Sequence, residues 1–229
     1  MFCYDLFVGV LSNILFVILL VIIFWIIGII ININRLNRAK TFFNSEDDSK
    51  VMIYISAFTS PSVVSRRVVN VVEFDIAIRL RDSLKQLSSK HKAFQVLLTI
   101  GEMIGRETKN IDSDIRFSET NPIINQLSEN SIICIGEPIS NQVSKYYMQN
   151  AYFIYSEVSK CYQHLEDGKY NDIKGGNISI IEKIIHGKQM ILLIHGTNEY
   201  DTLKSVEYLI ENWEKLYKDY SEKEFAVII

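Results

Sequence analysis

The sequence predicts an α/β protein carried on one N-terminal transmembrane helix, and three features of residue patterning lead there. An uncharged apolar run, Ile14 to Ile31, stands near the start. Beyond residue 50, short apolar runs alternate with helical periodicity, the pattern of a mostly parallel sheet covered on both faces. After residue 150 the apolar runs are separated by loops alone, which implies an antiparallel C-terminal addition. With 48% hydrophobic and 22% charged residues and a net charge of -3, the 229-residue chain is not disordered, collagen-like or strongly basic.

The anchor comes first. Leu6 to Ile31 contain no charge, and Ser12 and Asn13 are their only markedly polar members. The 18 residues from Ile14 to Ile31 span roughly 27 Å as a helix, close to the hydrocarbon thickness of a bilayer. A cleavable signal peptide fits poorly, because no basic region precedes the run and Ile31-Asn32-Ile33-Asn34 offers no small-residue cleavage site. Asp5 is the only charge on the N-terminal side, whereas Arg35, Arg38 and Lys40 follow the run. That asymmetry places the N-terminus outside and the remainder in the cytoplasm, on a single-pass protein of the cell membrane. Residues 32–50 read as a juxtamembrane linker, most clearly the polar and acidic Asn44–Lys50.

The folded domain is expected over residues 51–229. Val51–Ala57 is a strand leading to Ser60-Pro61-Ser62. Val64, Val68, Val72, Ile76, Leu80 and Leu84 then recur every four residues, with Arg66, Arg67, Arg79, Arg81 and Lys85 on other faces, which predicts a long amphipathic helix. Phe94–Ile100 is the next strand, Ile123–Leu127 a weaker helical stretch, and Ser131–Ile135 a third, fully apolar strand. Tyr152–Tyr155, Asn177–Ile181 and Met190–Ile194 supply the later strands. Ser205–Tyr217 closes the chain as a helix with Val206, Leu209, Ile210, Trp213 and Leu216 on its apolar face. The whole reads as a Rossmann-like domain.

In such sheets ligands meet the carboxyl ends of the strands. The first strand end, Ser56 to Arg67, gathers Ser56, Thr59, Ser60 and Arg66, hydroxyls and a guanidinium suited to phosphate oxygens. A helix capped by Ser62 or Ser65 with solvated arginines explains the same residues. The second is Gly136-Glu-Pro-Ile-Ser-Asn141, where Gly136 permits a tight turn and Asn141 can cap a helix or read a ligand edge. The third is His195-Gly-Thr-Asn-Glu-Tyr-Asp-Thr202: Gly196, Thr197 and Thr202 suit an anion, while Glu199 and Asp201 repel one. Of the four histidines only His195 sits at a strand end, as a ligand contact or acid/base group. No histidine pair has metal spacing, the three cysteines are unpaired in spacing, and dinucleotide, P-loop and hydrolase-nucleophile signatures are missing. No metal, cofactor or catalytic residue is assigned on these grounds. Glu73 is similar in placement to the glutamate of glycosidic-bond-cleaving Rossmann-like enzymes, among ordinary helix-face charges.

Two resemblances attach to these residues. Ser131 to Leu209 resembles a domain of archaeal S-layer-type and uncharacterised bacterial proteins that carries a G-G-P-x-x-N turn and an A-G-x-x-x-x-G-T-x-A-A turn. Gly136, Pro138, Asn141, Gly196 and Thr202 match, and Glu137, His195 and Asp201 depart. The layout of one transmembrane helix before a cytoplasmic Rossmann-like domain resembles CRISPR-associated membrane effectors with a CARF domain. That likeness implies a ligand such as a cyclic oligonucleotide, bound across a dimer, that rearranges the membrane helices in antiviral defence.

The expected function is therefore a membrane-anchored sensor or effector, a homo-oligomer on the lipid bilayer that binds a nucleotide-type anionic ligand. One alternative is an anchored nucleoside or NAD glycosidic-bond hydrolase, which requires Glu73, Glu137 or Glu199 to face a common pocket. Another is an envelope scaffold of S-layer type. A nucleic-acid partner is disfavoured, since the residues after the anchor hold all 24 basic and 26 of the 27 acidic groups.

Overall fold

The computed structural model describes residues 2–45, 50–59, 67–69, 71–89, 111–118, 131–156, 158–159, 161–166, 169–173 and 176–229. The strand expected at Phe94–Ile100 and the helical stretch at Ile123–Leu127 lie outside them.

Helix α1 runs unbroken from Phe2 to Phe42. From Val10 to Ile33 its large apolar side chains are exposed almost without exception. Over this stretch the helix is long and apolar enough to cross a membrane. It does not stop at Ile31: Asn32–Phe42, expected as linker, continues the helix. The reason is packing. Leu36, Ala39, Phe42 and Phe43 recur on one face and are buried in the domain core, Phe42 stacking near Phe225 and the Phe42 and Phe43 rings both meeting Trp213. Asn44 Nδ2 donates to the Lys188 carbonyl, and Ser131 Oγ donates to the Asn44 carbonyl.

Two sheets follow. Among the described residues the larger has seven strands: β1 (Val51–Thr59), β2 (Arg67–Val69), β3 (Ser113–Ser118), β4 (Ser131–Ile135), β8 (Ser179–His186), β9 (Gln189–Gly196) and β10 (Phe225–Ile228). Val51–Tyr54 pairs in parallel with β3 on one side and β4 on the other, and β4 pairs in parallel with β9. β8 then runs antiparallel to β9, and β10 antiparallel to β8, the expected antiparallel addition. β4 and β9 are buried along their whole length, and the uninterrupted apolar runs Ile132–Ile135 and Met190–Ile194 within them suit that burial. The smaller antiparallel sheet joins β5 (Phe153–Ser156), β6 (Cys161–Glu166) and β7 (Lys169–Asp172).

One face of the large sheet is covered by the end of α1, by α2 (Val71–Ser89) and by α4 (Glu199–Tyr220). The other face is covered by α3 (Gln142–Tyr147), a 3₁₀ turn at Met148–Asn150 and the small sheet. The helix expected from Val64 begins only at Val71, because Arg67–Val69 pairs as β2 with Ala57–Thr59 of β1. Its later members Ile76, Leu80 and Leu84 do form the buried stripe.

Candidate active-site cleft

The chain leaves β1 for β3 on one flank and comes back to β4 on the other, so the order of the described parallel strands reverses between β1 and β4. Beyond the carboxyl ends of strands at such a reversal, the helices diverge and leave a crevice. A cleft of about 540 Å³ opens there, walled by Glu73 of α2, the Glu137–Ser140 turn after β4, and Thr197 to Thr202 at the start of α4.

Glu73 is its deepest charged group, 6% exposed. The Ser56 amide at the end of β1 donates to its Oε2 at 3.0 Å, and the Ser56 hydroxyl lies 2.9 Å from Ser140 Oγ. Gly136, at φ +104°, stands against the same carboxylate: a Cβ there would lie 2.8 Å from both Glu73 Cδ and Ser56 Oγ. Gly136 is needed to let the carboxylate in. Burial raises the Glu73 carboxyl above the ordinary carboxylate value, the bonds from Ser56 oppose that rise, and the charges of Glu199 and Glu137 reinforce it. Burial and Glu199 raise Glu137 in the same way. The described walls contribute three carboxylates and no basic side chain.

The expected site residues divide accordingly. Ser56, Gly136 and Thr197 gather at the cleft, with Thr197 on its wall and the other two against Glu73. Thr59 lies at the tip of β1, opposite Arg67; Ser60 and Arg66 fall outside the described residues. Asn141 is fully buried and already engaged: Oδ1 accepts from the Val143 and Ser144 amides, and Nδ2 donates to the Tyr54 and Ile135 carbonyls. Ser118 Oγ accepts from the Gln142 amide, so α3 presents no free N-terminus to an anion. Gly196 packs against the start of α4, where a Cβ would stand 2.6 Å from the Thr202 nitrogen.

His195 does not line the cleft. β9 directs it to the opposite face of the sheet, where its ring stacks on Tyr162 at 4.9 Å between centroids. It is fully buried, both nitrogens lack a partner among the described residues, and burial lowers its pKa to about 3. It is a neutral core group, not an acid/base catalyst of this cleft. Ile139, Ser140, Asn198 and Tyr200 also line the cleft and are not among the expected site residues; for Ser140 the signal is the hydroxyl at the end of Gly136-Glu-Pro-Ile-Ser140, directly after an apolar strand. In comparisons with known proteins, no family model, no curated protein and no solved structure matches the chain.

Proposed function

We propose that the protein is a membrane-anchored hydrolase of a glycosidic bond, with a nucleoside-type substrate and Glu73 as the proton donor. The observation that carries this reading is the buried, raised carboxyl of Glu73 beside Glu137 and Glu199 in one cleft. A carboxyl raised by burial and by neighbouring like charges is the kind of group that serves as a general acid. Neighbouring carboxylates and hydroxyls accept from sugar hydroxyls, and the carboxylates repel a phosphate. In the reaction Glu73 gives its proton to the leaving nitrogen or oxygen as its bond to the anomeric carbon breaks. Water forms the new bond to that carbon and passes a proton to Glu199, in the division of labour usual for paired carboxylates.

The test is chromatographic release of free base or aglycone from a panel of nucleosides and simple ribosides by the full chain in nanodiscs. Wild type releases product, and Glu73→Gln, which keeps the shape and removes the acid, loses at least about 100-fold of the rate. Equal rates in the two proteins would reject the assignment.

A second reading, the nucleotide-type sensor or effector, is favoured by α1 alone. A helix that runs from an apolar span into the core would carry any ligand-induced shift of the domain into the bilayer. In that reading the anion is held by the β1–α2 connection, with the domain cytoplasmic and the chain oligomeric. Calorimetric titration of the full chain with linear and cyclic nucleotides separates the two, since the hydrolase reading expects no tight phosphate-dependent binding.

A further inference from the structure

A second cavity of about 330 Å³ lies next to the carboxylate cleft, at the lower end of the range of small-molecule pockets, about 300–1,000 Å³. The two share a wall. Ile139 lines both, and the same turn supplies Pro138 to the second cavity and Glu137 and Ser140 to the first. The remaining walls of the second cavity have different chemistry: Met148, Ile154 and Tyr155 are apolar or aromatic, and Lys145 and Gln149 stand at its rim. Ile139 is 51% exposed, an isoleucine on a turn tip left uncovered by the described residues.

We infer that this second cavity is the subsite for the leaving group, and that it selects a planar, aromatic nitrogenous aglycone. The inference rests on the glycosidic-bond reading above and extends it to the substrate class. A sugar against Glu73, Glu137 and Ser140 directs its anomeric substituent past Ile139 into the adjoining cavity. A flat ring there covers Ile139 and Ile154 and meets the edge or face of Tyr155, with the methionine thioether conforming to its outline. Lys145 and Gln149 offer rim hydrogen bonds to ring nitrogens or carbonyls. The separation is chemical: carboxylates and hydroxyls on one side of the turn recognise the polyol, and apolar walls on the other take the base.

The experiment uses the full chain in nanodiscs with two probes, the fluorescent nucleoside 1,N6-ethenoadenosine and free ribose as competitor. Ethenoadenosine is expected to bind at least about tenfold more tightly than ribose, the equivalent of one well-buried ring contact. Gln149→Trp, an exposed-site change that fills the second cavity, abolishes that advantage and leaves ribose affinity unchanged; Ile154→Ala, which alters the wall of the second cavity alone, reduces the advantage without affecting ribose. Equal affinity for the two probes, or an advantage that survives Gln149→Trp, overturns the subsite while the acid assignment stands. Binding of neither probe removes the sugar-site reading and the subsite with it.

Discussion

Glu73 and Gly136 depend on one another. The carboxylate enters the end of the sheet only because residue 136 has no side chain, and the backbone there is left-handed. Gly136→Ala therefore meets both a steric and a conformational penalty, and is expected to destabilise the chain by about 1–3 kcal/mol, read as a lowered midpoint in denaturant titration in micelles. An unchanged midpoint would contradict the left-handed, crowded backbone at this turn. Glu182 makes a separate test of buried charge. It is fully buried, its oxygens accept from the Tyr152 and Phe153 amides, and desolvation pushes its pKa up to about 7. Between the unfolded carboxylate value and pH 7 the folded chain binds the extra proton, so this residue's contribution to stability falls as pH rises through that window. Glu182→Gln should accordingly gain on wild type as pH climbs from about 4.5 to 7, a difference measured by paired thermal melts. A pH-independent difference would contradict the burial.

At the scale of elements, the end of α1 is part of the core. Phe42→Ala is expected to cost about 3–5 kcal/mol, with the same micelle titration as readout; a negligible cost would mean that the helix ends outside the fold. Lys183 on β8 secures the junction. Its Nζ, on a residue 1% exposed, donates to the Phe42 and Ser221 carbonyls at the C-terminal ends of α1 and α4 and lies 4.9 Å from the Phe42 ring centre. Desolvation lowers its pKa to about 8 from an ordinary 10.5. The unfolded chain binds the proton more readily between those values, so the lysine's contribution to stability rises with pH across the window. Lys183→Met removes that slope in melts taken from pH 8 to 10.5. A slope identical to wild type would place the amine in water.

Across the whole molecule, α1 joins the domain beside Ser131 at the start of β4 and the Lys188 turn before β9. The cleft lies at the far ends of those strands, on the order of 20 Å away along the sheet. It thus opens away from the end at which α1 enters. Much of this was legible in sequence. The apolar span and the runs at β1, β4 and β9 announce themselves, because a strand buried on both faces has no polar residue to disguise it. The exit of α1 was not legible, since Arg35, Arg38 and Lys40 mask the buried spacing of Leu36, Ala39 and Phe43. β2 was read as helix because Val64, Val68 and Val72 happen to continue the four-residue recurrence of α2. β3, an alternating S-D-I-R-F-S, and the polar strands β6 and β7 carry too little apolar signal to be called. Within the site, Ser56, Gly136 and Thr197 were visible as strand-tip residues. The special environment of Glu73 was not, because its partners lie 17 residues before it and across a separate strand end.

The pH dependence of kcat/KM for aglycone release, compared between wild type and Glu137→Gln, tests the acid assignment most directly. Activity should fall as Glu73 loses its proton, at a pH above the ordinary carboxylate range. Removing one like charge from its surroundings, while Glu199 stays in place as the base, should move that alkaline limb to lower pH, since the Glu137 charge helps to hold the Glu73 carboxyl up. A limb that stays in place would show that the titrating group is not in this cluster, and would contradict the account.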